Sequence, residues 1–175
     1  LIWCDQRSQP QVDLINQTLG FGTVLRYTAN PVLTGFTLPK LLWVRDHEPE
    51  KFAAVRTVLL PKDYLRFKLS GDFATDVSDA SGTALFDVAN RQWSDGMVSG
   101  LGLERSILPQ VHESSSITGR IHAPAAAATG LAPGTPVIAG AGDQAASAVG
   151  NGIVTAGAVS CTIGTSGVVF AYLEK

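Results

Sequence analysis

TPVIAGAGDQAASAVG, residues 135–150, reads as a strand that hands over to a helix. TPVIAG is short, apolar and bounded by turn residues, the profile of a buried strand. QAASAVGNG is a run of small residues suited to a short helix, and Asp143 stands at the junction. Strand-to-helix handovers build α/β folds, and in such folds ligands approach the C-terminal ends of strands. The surroundings single out the acid. Between Arg120 and Glu174 there is no Lys, Arg or Glu, and Asp143 is the sole carboxylate. It has two candidate roles: an N-cap that accepts backbone N–H bonds at the helix start, or an acid flanked by Gly140, Gly142 and Ala145 that a substrate can approach closely. The lack of any cation nearby in sequence favours the second, with the carboxylate exchanging a proton with a ligand.

On the C-terminal side, AGAVSCTI and VVFAYL read as two strands joined by GTSG, a hairpin. GTSG, residues 164–167, is by itself a plain turn in which Gly, Ser and Thr satisfy the local backbone. It also suits a nest of exposed N–H groups and hydroxyls that cradles a phosphate. It is not a G-x-S-x-G nucleophile elbow, and no G-x-x-x-x-G-K-[ST] occurs, which disfavours acyl transfer and P-loop chemistry.

On the N-terminal side, LIW reads as an apolar strand. Val12, Ile15 and Leu19 at helical spacing, followed by Gly20, predict a helix over 9–19. TLPKLLWVRDH predicts a second, with Pro39 in its first turn. VRTVLLP (55–61) predicts a buried strand, and KDYLRFKLSG a helix stopped by Gly71. DFATDVSDASGT (72–83) holds three Asp, two Ser and a Gly without helical period and reads as a loop. TALFDV and GRI are short strand candidates, SDGMVSGL and ERSIL short helices, and APAAAATG a small-residue helix closed by Gly130. The clearest boundary is the loss of charge after Arg120.

Composition excludes several classes. The chain has 175 residues, 45% hydrophobic and 16% charged, the profile of a compact soluble domain. A net charge of -2, a pI near 5.9 and the lack of any Lys/Arg cluster argue against nucleic acid as a partner. The longest apolar run, Val168 to Leu173, is far short of the roughly 18 residues of a membrane helix, so no membrane association and a cytoplasmic location are expected. Cys4 and Cys161 lack CxxC spacing and are expected to be reduced thiols. Asp72, Asp76 and Asp79 do not match a calcium loop, and turn and capping roles are expected for them. His47, His112 and His122 are not at ligand spacing and are expected at the surface or at caps. Trp3 and Trp43 are expected in the core. The chain begins at Leu1 inside an apolar stretch, as a piece of a longer protein would.

Taken together, LIWCDQR, GFTLPKLLWVRDHEP, VLLPKDYLRFKLSGDFATDVSDASGTALFDV, GAGDQAASAVG and CTIGTSGVVF, in this order, resemble the FGGY family of carbohydrate kinases over nearly the whole chain. ATDVSDASGTALFDV is most similar to the branch that acts on D-xylulose. The resemblance implies an α/β fold of the ribonuclease H-like, actin-like ATPase kind, incomplete here. Residues 1–150 would be the C-terminal portion of the first kinase domain, and 151–175 the opening hairpin of the second. It implies ATP and D-xylulose as substrates, Mg²⁺ as cofactor, and room for a homodimer of the complete enzyme.

In that family the aspartate of the GD[QN] motif is the general base that takes the proton of the attacking sugar hydroxyl, and the matching position is Asp143. Gln144 matches a sugar-contacting position, and Asp5 and Arg7 fall in a loop near the family's sugar site. Gly164, Thr165, Ser166 and Gly167 match a phosphate-binding hairpin. The family's N-terminal D-x-G-T hairpin, its Met-His sugar contact and its glycine-rich adenine site have no counterpart in these residues, so the chain alone is expected to be inactive. A sibling kinase for ribulose, gluconate or glycerol would share the catalytic motifs, and a non-catalytic binding module remains a further alternative.

Overall fold

The computed structural model describes residues 1–164 and 167–173. It is mixed α/β and falls into two compact units, Leu1–Gly140 and Ala141–Lys175.

The first unit opens with Leu1, Ile2 and Trp3 exposed and in no strand, so the expected N-terminal strand is absent. Trp3 is 63% exposed and is not a core residue. Helix α1 (Gln9–Leu19) carries Pro10 in its first turn, buries Val12 and Ile15, and ends at Gly20, whose φ of +80° suits glycine. A helix that the sequence reading lacked follows at once: α2 (Phe21–Thr28), which buries Val24 and Thr28. Helix α3 (Thr37–His47) buries Leu38, Leu41 and Leu42 and is followed by the short α4 (Pro49–Ala53).

Residues 55–60 do not form the expected strand. Their β-branched side chains run half-buried without a ladder, and the Val58 N–H is donated to the Ile107 carbonyl at 2.8 Å. Pro61 then starts α5 (Pro61–Ser70), which Gly71 ends in the left-handed conformation, φ +82°.

The segment expected as a loop is ordered. Strand β1 (Ala74–Asp76) is wholly buried and leads into α6 (Val77–Ser81), which Asp76 caps. β1 pairs in parallel with β4 (Gln110–His112), placing Asp76 opposite His112. Between them, β2 (Phe86–Asp87) and β3 (Gln92–Trp93) form an antiparallel ribbon. Helix α7 (Asp95–Gly100), capped by Ser94, and a 3₁₀ turn (Arg105–Ile107) follow. Ile15, Val24, Leu38, Leu42, Leu85, Phe86, Trp93 and Met97 belong to the main core, where Phe86 and Trp93 meet edge to face at 5.8 Å.

A second, smaller cluster lies under α8 (Ala123–Thr129), where Ile121, Ala125 and Ala126 pack with Leu69 and Val137. His122 caps α8 through Nδ1, which accepts the Ala125 N–H at 3.0 Å. Strand β5 (Ile117–Arg120) runs antiparallel to β6 (Pro136–Ile138). TPVIAG thus contains its strand, but an edge one with Ile138 exposed and not a buried one.

The second unit holds α9 (Asp143–Gly150) and the hairpin of β7 (Val159–Ile163) and β8 (Gly167–Ala171), in register from Val159 opposite Ala171 to Ile163 opposite Gly167. Among the described residues no helix is long and apolar enough to cross a membrane.

Candidate active site

Asp143 is the first residue of α9, and Gly142 occupies the N-cap position. This corrects the capping alternative: a carboxylate at the first helical position lies one residue too late to fold back as an N-cap. Its Oδ1 instead accepts the N–H of its neighbour Gln144 at 2.8 Å. Asp143 and Gln144 are both exposed on the opening turn of the helix. The ion pairs among the described residues engage other acids and leave Asp143 out. Charge complementation of the helix N-terminus remains open to it, as does a ligand.

The hairpin expected to bind phosphate has Gly164 directly after β7 and Gly167 at the start of β8, and a side chain at either would meet no atom within 4 Å. The backbone there is open to approach. Thr165 and Ser166 lie outside the described residues.

Asp5 and Arg7 are brought together in the first unit. The Arg7 backbone N–H and Nε both donate to Asp5 Oδ1 at 3.0 Å. Those bonds, the backbone one foremost, hold the Asp5 carboxyl below its ordinary value. The Arg7 guanidinium lies 5.3 Å from the centre of the half-buried Trp43 ring, and Trp43 stacks on His47 at 4.4 Å. The loop is pinned to the start of α3: the Thr34 hydroxyl donates to Gln6 Oε1 at 2.7 Å, and Gly35 lets the Trp3 carbonyl approach so closely that a Cβ would lie 3.0 Å from it. Lys40, on the first turns of α3, donates to the Gly35 carbonyl at 2.7 Å, and burial lowers its pKa.

One group of charges was missed in the sequence. Lys62 on α5 faces Asp63 Oδ1 at 2.6 Å, Asp76 Oδ1 at 2.9 Å and Asp79 Oδ2 at 3.6 Å. Asp63 and Asp76 are fully buried. Burial alone would lower Lys62, but its bonds to Asp63 and Asp76 outweigh it and the ammonium is held above its usual range. Asp76 is pushed up by burial and pulled down further by Ser78, Lys62 and Ser114, so it stays ionised. Asp79 is raised, chiefly by burial. The capping role expected in this acidic run belongs to Asp76, whereas Asp72 is exposed. Among the described residues no three His, Cys, Asp or Glu converge as a metal site, and both cysteines are free and exposed.

Residues 1–150 match the model of the N-terminal domain of the FGGY family of carbohydrate kinases. The chain belongs to this FGGY family. It is 47% identical over 174 residues to the xylulose kinase of Escherichia coli (strain K12), covering 99% of this chain and 35% of that one. It is 44% identical to the xylulose kinase of Bacillus subtilis (strain 168), again covering 35% of the relative. A crystal structure of xylulose kinase from Rhodospirillum rubrum superposes with a TM-score of 0.89 at 32% identity, over 94% of this chain and 34% of that one. The chain therefore carries part of the actin-like ATPase fold of the FGGY sugar kinases and spans 35% of the length of both curated relatives.

Proposed function

We propose that this chain is part of an ATP-dependent sugar kinase that converts D-xylulose to D-xylulose 5-phosphate, with Asp143 as general base. The observation that carries the reading is Asp143 itself: exposed at the first turn of α9, among small residues, and outside every ion pair among the described residues. The xylulose kinases to which the chain is similar support the substrate. The family model's match to residues 1–150 supports a division into the later part of a first kinase domain, with 151–175 opening the second.

In this reading the sugar hydroxyl oxygen attacks the γ-phosphorus of ATP, its proton passes to the Asp143 carboxylate, and the bond from phosphorus to the ADP oxygen breaks. Phosphoryl transfer depends mostly on positioning and charge neutralisation. Gln144, next along the exposed helix turn, offers an amide to the sugar. Asp5 and Arg7 offer an acceptor and donors to sugar hydroxyls. The hairpin from Gly164 through Thr165 and Ser166 to Gly167 supplies donors to phosphate oxygens. Mg²⁺ bound with the nucleotide would supply neutralisation of the phosphate charge. In this reading the enzyme works in the cytoplasm.

The test is Asp143→Asn in the complete enzyme, which keeps size and hydrogen-bonding capacity but removes the proton acceptor. Turnover should fall by roughly 10² to 10⁴ with sugar affinity and melting temperature little changed. Near-normal turnover would refute the assignment, and a panel of D-xylulose, ribulose, gluconate and glycerol reads the substrate independently.

A further inference from the structure

The backbone on either side of Arg7 is fixed to the chain ahead of α3. The Gln6 amide oxygen accepts the Thr34 hydroxyl at 2.7 Å, and the buried Ser8 hydroxyl donates to the Thr34 carbonyl at 3.4 Å. Such ties fix a backbone position and leave a long side chain free to turn. The Arg7 side chain has two restraints of its own. Asp5 takes Nε, at 3.0 Å from Oδ1 and 2.9 Å from Oδ2. Trp43 takes the flat face: the central guanidinium carbon lies over its ring, 5.3 Å from the centre and inside the range of about 6 Å for a cation on an aromatic ring.

Trp43 is itself held. One helical turn on, His47 stacks against its ring at 4.4 Å, within 10° of parallel, and His47 Nδ1 donates to the Trp43 carbonyl at 3.0 Å. The braced guanidinium keeps donors in reserve. Of its five N–H groups, the one on Nε is committed to Asp5, and the four on Nη1 and Nη2 have no partner among the described residues. That outer edge is a planar fork suited to two adjacent oxygens, a pattern that a sugar repeats along its carbon chain.

We propose that Trp43 is a positioning residue for sugar binding: its ring holds the Arg7 guanidinium so that the Nη1–Nη2 edge meets a pair of adjacent sugar oxygens. The inference rests on the reading of Arg7 as a sugar contact. Trp43 touches no substrate in this scheme and acts through Arg7. Immobilising a flexible side chain at the moment of binding weakens affinity by roughly 2- to 12-fold, and a ring that holds Arg7 beforehand removes most of that loss. Removal of the ring should therefore appear in KM for the sugar and not in kcat.

The experiment uses the complete enzyme and a double-mutant cycle. Arg7→Met should raise KM for the sugar by roughly 10- to 100-fold, the loss expected for hydrogen bonds from a charged donor. Trp43→Leu should raise it by about 3- to 10-fold, with kcat and KM for ATP within about twofold of wild type. Trp43→Phe, which restores an aromatic face, should bring KM for the sugar back to within about twofold. In the Arg7→Met background Trp43→Leu should add less than about twofold, because the group it positions is already gone. A folded Trp43→Leu enzyme with normal KM for the sugar overturns the proposal. So does a loss that is equal in Trp43→Leu and Trp43→Phe, or equal in both Arg7 backgrounds, since either would mark Trp43 as general structural support. If Trp43→Leu does not fold, Trp43→Met, apolar and flexible, is read by the same cycle. Normal KM for the sugar in Arg7→Met would sink the sugar-contact reading and the proposal with it, an outcome separable from every Trp43 result.

Discussion

Replacing Asp76 by Ala should be among the costliest single changes to the first unit. Asp76 is fully buried, yet its carboxylate accepts the Ser78 N–H at 2.8 Å, the Ser78 hydroxyl at 2.5 Å and the Ser114 hydroxyl at 2.8 Å, and pairs with Lys62 at 2.9 Å. The cap on α6 alone is worth about 1 kcal/mol. Removing one partner of a buried ion pair costs about 3 to 5 kcal/mol, mostly because the other charge is stranded. Here Asp63 remains beside Lys62, so the lower half of that range applies, with the cap bringing the total to roughly 4 to 5 kcal/mol. At about 2 to 4 °C per kcal/mol for a unit of this size, the melting temperature should fall by roughly 8 to 20 °C. Thermal unfolding followed by circular dichroism measures it, with Asp72→Ala, at an exposed acid of the same run, as a control expected to change little. The pH dependence adds a second check. Asp76 has a lowered pKa in the fold, so its contribution is present above the unfolded value of 3.8 and is lost as pH falls through the still lower folded value. The gap between wild type and Asp76→Ala should therefore hold at neutral pH and close only below about pH 4. A variant that melts within about 2 °C of wild type at pH 7 would refute the argument that these charges are coupled and buried.

Asp79 should behave oppositely: burial raises its pKa, the folded state holds its proton more tightly, and stability drains away as pH climbs from 3.8 through the folded value. Asp79→Asn should accordingly raise the melting temperature at pH 7 and have no effect below pH 3.8, a pattern that a pH series of melts would show or deny. Gly164→Val in the complete enzyme should raise KM for ATP much more than KM for the sugar, since the hairpin offers backbone donors and hydroxyls and no carboxylate to accept sugar hydroxyl protons; equal effects on both substrates in steady-state kinetics would count against a phosphate role.

Helices with both periodicity and punctuation were legible in the residues. Val12, Ile15 and Leu19 before Gly20, Pro61 and Gly71 around α5, and Gly130 after α8 mark their helices because proline and glycine act locally. Helix α2 escaped because Gly20 serves as the stop of one helix and the start of the next. Residues 55–60 misled for another reason: β-branched composition reports a half-buried extended chain, whereas a strand needs a neighbour, and the neighbour here contributes one bond from Ile107. Trp3 shows the limit of reading burial from residue type, since the loop that carries it is held by its backbone and by Gln6 and not by the indole.

The candidate site divides the same way. Asp143 could be singled out because its signal is an absence of charge in the linear sequence, which needs no knowledge of the fold. The Lys62 cluster could not, because Asp76 looks like any turn acid until β1 carries it into the interior beside a lysine from α5. The contrast bears on function. Asp46, Asp63 and Asp76 each have a cation within 3.1 Å that engages the carboxylate. A carboxylate committed to such a partner has its oxygens occupied and its charge balanced, and so serves the fold. The acid that must receive a proton from a substrate needs an oxygen left open and a setting small enough for the substrate to reach it. A charge-poor tract of Gly, Ala and Ser around Asp143 meets both needs.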